Sequence, residues 1–127
     1  MKAIIYNDLT DFDKDKLLTL LKAKTLNYHK SSTVLNNFTN TDIVGIINSG
    51  SVNIISVDYN GNKTIVETLK ENDLFYSKMF VKDNNELTVI SIDESNITLF
   101  DYQNMIDINS KYQTIQKKFI ENFLPTL

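Results

Sequence analysis

Between Leu26 and Phe100 the chain carries short apolar stretches, broken by turn signals roughly every eight to twelve residues, and this recurrence limits the fold more than any other feature. Leu26 and Tyr28 alternate, and "SST" leads into Val34-Leu35. Residues 43–47 form a nearly continuous apolar run closed by "NSG", and residues 52–59 form another. The Asn60-Gly61 pair is the strongest hairpin signal. Residues 64–69 return, "KEND" turns, Leu87 and Val89 alternate, and "DESN" precedes Ile97 and Leu99. Ile90 and Ile92 continue their stretch on the opposite parity, as a bulge would allow. Seven or eight such strands predict a sandwich or jelly-roll barrel. Apolar residues on both parities between Ile43 and Val57 point to a curled double sheet, or to one capped on its outer face.

Helices flank the strands. In "DFDKDKLLTLLKAK", Phe12, Leu17, Leu18, Leu20 and Leu21 recur at helical spacing, with Asp11 or Asp13 as cap and an end near Thr25. From Asp101 onward Met105, Ile106, Ile108, Tyr112, Ile115, Phe119, Ile120, Phe123 and Leu124 follow mostly at three- and four-residue steps, and "INSK" is a candidate break. Tyr112, Ile115, Phe119 and Phe123 form one stripe, either packed on the barrel or presented to a partner helix. The expectation is one mainly β domain, a double-stranded β-helix of about eight strands. It divides into a helical segment 1–25, a β-roll 26–100 and a long C-terminal helix 101–127.

Composition removes several chemistries. With no cysteine and one histidine, His29, neither a disulfide framework, a thiolate or iron–sulfur site, nor a multi-imidazole metal centre is expected. A haem would have His29 as its sole imidazole ligand. There is no nucleophile–base pair or phosphate loop with lysine, so catalytic residues, metal and cofactor are all expected to be none. The net charge of −3 and the scattered lysines give no positive footprint for nucleic acid. No apolar run approaches the ~20 residues of a membrane span, and no signal-peptide layout opens the chain, so a cytoplasmic protein without membrane contact is expected.

Residues 28–75, "YHKSSTVLNNFTNTDIVGIINSGSVNIISVDYNGNKTIVETLKENDLF", resemble the effector domain of Crp/Fnr-type bacterial transcription regulators. The resemblance rests on Tyr28-x-Lys30, on Ile47, Ser49, Gly50 and Val52, on the Gly61 hairpin and on "ETLKENDLF"; it extends from about Lys16 to Leu124. It implies a cyclic-nucleotide-binding-type β-roll whose C-terminal helix makes a homodimer through Tyr112, Ile115, Phe119, Ile120 and Phe123. Changes in the roll would then pass to DNA-binding domains beyond that helix. No such domain is present here, which implies a piece cut before it; a stand-alone β-roll that binds a ligand or a protein is the alternative.

The same resemblance puts "NDLFYSKMFVKDNNELTV", residues 72–89, where family members carry a phosphate-binding cassette. There a glycine-glutamate pair opens a short helix, the glutamate takes the ribose, and an arginine-serine pair grips the phosphate. The glycine falls on Tyr76, the glutamate on Ser77, the arginine on Asn85 and the serine on Glu86. None of the four keeps its chemistry, so cyclic AMP is not the expected ligand. Phe75, Tyr76, Met79 and Phe80 are expected to fill the roll. The alternative is an unidentified effector, neutral or cationic, held among Phe75, Tyr76, Ser77, Asn85, Glu86 and Thr88.

Overall fold

In the computed structural model, residues 11–36, 41–80 and 86–107 are described; the side chains of 11–14, 79 and 80 are left aside. Helix α1 (Asp11–Leu20) is followed by β1 (Lys24–Tyr28), β2 (Thr33–Leu35), β3 (Ile43–Ser49), β4 (Ser51–Val57), β5 (Lys63–Lys70) and β6 (Leu74–Tyr76). A 3-10 turn, Ser77–Phe80, then precedes β7 (Glu86–Ser91), β8 (Ser95–Asp101) and α2 (Tyr102–Ile106). The strands form two antiparallel four-stranded sheets, ordered β1-β8-β3-β6 and β2-β7-β4-β5. This is the expected β-roll.

Period-2 alternation assigns the faces. Val34, Ile47, Val52, Ile54, Leu69, Phe75, Leu87, Val89 and Ile97 are buried together between the sheets, with Tyr28, Leu35 and Leu99 packed against them. The neighbours on the opposite parity of the first sheet (Val44, Ile46, Leu74, Tyr76, Thr98 and Phe100) are buried as well. Tyr102 stacks on Tyr76, Met105 is fully buried, and Asn104 Nδ2 donates to the Leu21 carbonyl at 2.8 Å, so α2 and the end of α1 lie on that outer face. The apolar residues on both parities of β3 therefore reflect a capped sheet.

Several boundaries depart from the sequence reading. Helix α1 stops at Leu20 rather than near Thr25, because Lys22 adopts a left-handed φ of 54°. Its N–H donates to Thr19 O, and the Ala23 N–H donates to Leu18 O, which closes the helix end. The eighth strand, β6, lies inside the stretch that reads as irregular. Strand β7 pairs with β4 without interruption, so Ile90 owes its parity to no bulge in β7; the irregularity falls in β2, between Thr33 and Leu35. The Asn60-Gly61 hairpin forms with a three-residue loop: Gly61 N–H donates to Asp58 O, Asp58 N–H to Asn62 O, and Gly61 alone takes a left-handed φ, +83°. Of the segment expected as a long C-terminal helix, residues 101–107 are described: α2 ends at Ile106 with Asp107 as its C-cap, and the stripe from Tyr112 to Phe123 lies outside the described residues.

Candidate functional site

The segment after β5 begins with a tight turn. Asp73 N–H donates to Lys70 O at 2.9 Å, while the Asp73 carboxylate accepts from Lys70 N–H, also at 2.9 Å. Asn72 takes the left-handed position with φ 70°, a conformation asparagine tolerates better than most side chains. Its N–H donates to Ile47 O and Ile47 N–H donates to Asp73 O, which sews the turn to β3. The short β6 then pairs with β3 as Val44↔Tyr76, Gly45↔Phe75 and Ile46↔Leu74.

This register sends the two aromatic neighbours in opposite directions. Phe75 enters the core between the sheets and lies over Gly45: a Cβ built on Gly45 would sit 2.1 Å from Phe75 Cζ. Tyr76 goes to the helix-covered face. The expectation that both rings fill the roll is thus corrected for Tyr76, because adjacent residues of a strand cannot share a face. Tyr76 stacks on Tyr102 with ring centroids 4.7 Å apart and 27° between planes. Its hydroxyl donates to Asp42 Oδ1 at 2.6 Å. Burial, then the hydrogen bond and negative charge of Asp42, hold that hydroxyl protonated well above the usual tyrosine range.

Ser77 opens the 3-10 turn and is fully buried; its Oγ donates to the Thr41 carbonyl at 2.6 Å. A serine hydroxyl in this position supplies no carboxylate for a ribose. Thr88 and Glu86 lie on β7 with opposite parity to the core residues Leu87 and Val89, and so on the outer face of the second sheet. Thr88 Oγ1 donates to Asn36 Oδ1 at 3.2 Å, and the exposed Glu86 pairs with Val57. Asn85 falls outside the described residues. Phe75, Tyr76, Ser77, Glu86 and Thr88 are therefore distributed over the core, the helix side and the opposite outer face.

Sequence reasoning missed Asp42, Thr41, Tyr102 and Gly45. Asp42 and Tyr76 are far apart in the chain and no local pattern links them; the one available hint was that a buried tyrosine hydroxyl needs an acceptor. Among the described residues no group of three or more His, Cys, Asp and Glu side chains is placed to hold a metal. His29 Nδ1 lies 3.1 Å from Glu94 Oε1, both well exposed. No helix among the described residues is long and apolar enough to cross a membrane.

Two four-stranded sheets closed on one side by helices, with a short turn after the sixth strand, define a cyclic-nucleotide-binding-type β-roll. The sequence pattern of the cyclic nucleotide-binding domain matches residues 25–112, and the chain belongs to that family. No curated protein matches by sequence. Among solved structures, a cyclic nucleotide-binding domain from Methylobacillus flagellatus superposes with a TM-score of 0.72 at 10% identity, covering 97% of this chain and 71% of that one. The catabolite activator protein of Thermus thermophilus gives 0.69 at 10% identity, covering 95% of this chain and 56% of that one. A CooA variant from Carboxydothermus hydrogenoformans gives 0.67 at 16% identity, covering 97% and 79%. The chain thus spans little more than half of the catabolite activator protein. These neighbours share the β-roll fold that the resemblance to Crp/Fnr effector domains leads one to expect.

Proposed function

We propose that this chain is the sensor domain of a Crp/Fnr-type transcription regulator whose cassette has been rebuilt so that it does not take cyclic AMP. The observation that carries this reading is the burial of Tyr76 and Ser77 with both hydroxyls committed to residues 41 and 42. At these two positions the family pattern has a glycine that leaves backbone open to the ligand and a glutamate that binds it. Here the first is a ring packed against α2 and the second is a hydroxyl turned to a carbonyl. Phe75, seated on Gly45, supports the reading that the roll interior is filled by its own side chains. The domain is a regulatory module rather than an enzyme. It works in the bacterial cytoplasm as a homodimer through Tyr112, Ile115, Phe119, Ile120 and Phe123, and passes its state to a DNA-binding domain in the full-length protein. The negatively charged chain itself contacts neither DNA nor membrane.

Thermal unfolding with millimolar cyclic AMP and cyclic GMP tests the central point. A ligand present at about 100 times its Kd stabilises the folded state by ~2.7 kcal/mol, a shift of several degrees for a domain of this size. No shift is expected. A rise in Tm with either nucleotide refutes the rebuilt-cassette reading.

A further inference from the structure

Three separate parts of the chain meet at Asp42, just before β3. Its carboxylate accepts the Tyr76 hydroxyl at 2.6 Å, which holds the end of β6. Its backbone carbonyl accepts the Tyr102 N–H at 2.8 Å, which holds the first residue of α2. The Tyr76 and Tyr102 rings stack on each other and close the triangle. One residue earlier, the Thr41 carbonyl takes the Ser77 hydroxyl at 2.6 Å. The start of α2 makes no use of its own cap: Asp101 stands at the N-cap but its side chain makes no capping hydrogen bond. The first turn of any helix has amides without an intrahelical acceptor, and here Asp42 provides one for Tyr102.

We infer that Asp42 is a positioning residue, and that Asp42, Tyr76 and Tyr102 form the joint through which residues 74–80 set the seat of α2. The inference rests on the sensor reading above, in which the C-terminal helix carries the output, and it names the side chains that would do so. Tyr76 and Ser77 grip adjacent residues, 42 and 41, so a shift of the 3-10 turn either moves both or breaks two short hydrogen bonds. Residue 42 in turn carries the first amide of α2. Asn104, bonded to the Leu21 carbonyl, ties the same short helix to α1, so the seat of α2 is fixed from two sides and the Asp42 side is the one that reports on the turn.

Amide hydrogen exchange on the complete chain tests this without any effector. Tyr76→Phe keeps the ring and removes the hydroxyl; Ser77→Ala removes the second grip. Tyr76→Phe is expected to speed exchange of the Tyr102 amide about tenfold, the equivalent of one charge-assisted hydrogen bond, and Ser77→Ala about fivefold, its bond being to a neutral carbonyl, while the hydrogen-bonded amides of the 58–62 turn, which open without unfolding the roll, keep their wild-type rates. Asp42→Asn added to Tyr76→Phe is expected to bring little further change at Tyr102, because the bond it would weaken is already gone. A rise at Tyr102 shared equally by the amides of the 58–62 turn means general loosening and overturns the joint, as does no change at Tyr102 at all. Failure of the sensor reading looks different: the joint behaves as expected, yet the wild-type chain sediments as a monomer at high concentration.

Discussion

Gly45→Ala is a one-carbon change whose cost can be worked from one contact. Gly45 lies within β3 opposite both Phe75 and Leu99, and its φ is not left-handed, so alanine meets no backbone obstacle there. The obstacle is the Phe75 ring: the new Cβ would lie 2.1, 2.4 and 2.6 Å from Cζ, Cε1 and Cε2. Carbon atoms are comfortable at about 3.5–4.0 Å, so ring or strand must yield by roughly 1.5 Å. Phe75 is 1% exposed and enclosed by the inter-sheet core, so its rigid ring has little space to move into. Overpacking of this kind costs about 1–3 kcal/mol, and this contact belongs at the upper end.

Removing the ring reverses the sign. Phe75→Ala alone should cost about 3–5 kcal/mol, through lost burial and the cavity it leaves. In that background Gly45→Ala meets no ring and should stabilise by about 0.4–1 kcal/mol, because alanine narrows the unfolded ensemble and fills part of the cavity. The cycle therefore predicts a coupling of about 3.5–4 kcal/mol between the two positions. Urea unfolding reads it as a change in midpoint at constant slope. Total stability for a domain of this length is about 6–19 kcal/mol, so the single variants should remain folded; Phe75→Leu is the milder ring removal if Phe75→Ala is not. Equal costs for Gly45→Ala with and without the ring would refute the argument that Phe75 is seated on Gly45.

Gly50→Ala and Gly61→Ala separate backbone strain from crowding. Both glycines are left-handed (φ 85° and 83°), but a Cβ at Gly50 meets Ser95 Oγ at 2.3 Å and Glu94 O at 2.4 Å, while Gly61 has nothing within 4 Å. Gly61→Ala should cost about 1–2 kcal/mol, and Gly50→Ala clearly more, by urea midpoint. Tyr76→Phe should cost about 1.5–3 kcal/mol at neutral pH, because the half-buried Asp42 carboxylate loses its donor. The folded value of the Tyr76 hydroxyl lies above the ordinary 10.0, so the unfolded chain releases that proton first; wild-type stability should fall as pH rises past about 10, and less steeply in Tyr76→Phe. Asp58 is the opposite case. The Asn62 N–H, helped by the Asn62 side chain and the amides of Asn60 and Gly61, holds its carboxyl below 3.8, so its contribution is present above about pH 4 and lost as pH falls through the lowered value; Asp58→Asn should remove that part of the acid slope. Phe119→Glu should convert a sedimenting dimer to monomer without altering the circular dichroism of the β-roll; a wild-type chain that is already monomeric refutes the dimer helix.

Much of the fold was legible because strands β4 and β7 obey a two-residue period and turn signals bound the others. Val52, Ile54 and Ser56 are buried in alternation with half-exposed partners, and Leu87, Val89 and Ser91 repeat the pattern across the same sheet. The failures lie where local sequence holds no cue. Lys22 and Ser31 adopt left-handed φ angles of 54° and 67° with neither glycine nor asparagine to announce them. Strand β6 is three residues long between two turns, too short for alternation to register. Strand β5 leaves Ile65 and Val66 at 59% and 48% exposure, apolar residues at a sheet edge, a position that no local pattern announces.

The candidate site shows the same limit in sharper form. The family resemblance puts Tyr76 and Ser77 where a glycine and a glutamate are expected, and a one-dimensional reading treats large apolar neighbours as filling for one pocket. Pairing of β6 with β3 makes that impossible: Phe75 opposite Gly45 faces the core, so Tyr76 opposite Val44 must face α2. A tyrosine delivered there under burial needs an acceptor for its hydroxyl, and the chain meets the need with Asp42, 34 residues earlier. On the reading proposed above, the residue that stands in place of the family's cassette glycine makes its contact on the other side of the sheet. On that reading, loss of nucleotide chemistry and the link to α2 belong to the same side chain. Tyr76→Gly should, on that reading, free the backbone after β6 and loosen α2 together, read as faster exchange of the Tyr102 amide, and Ser77→Glu alone should break the grip on Thr41 without creating a ribose site, read as no rise in Tm with cyclic AMP.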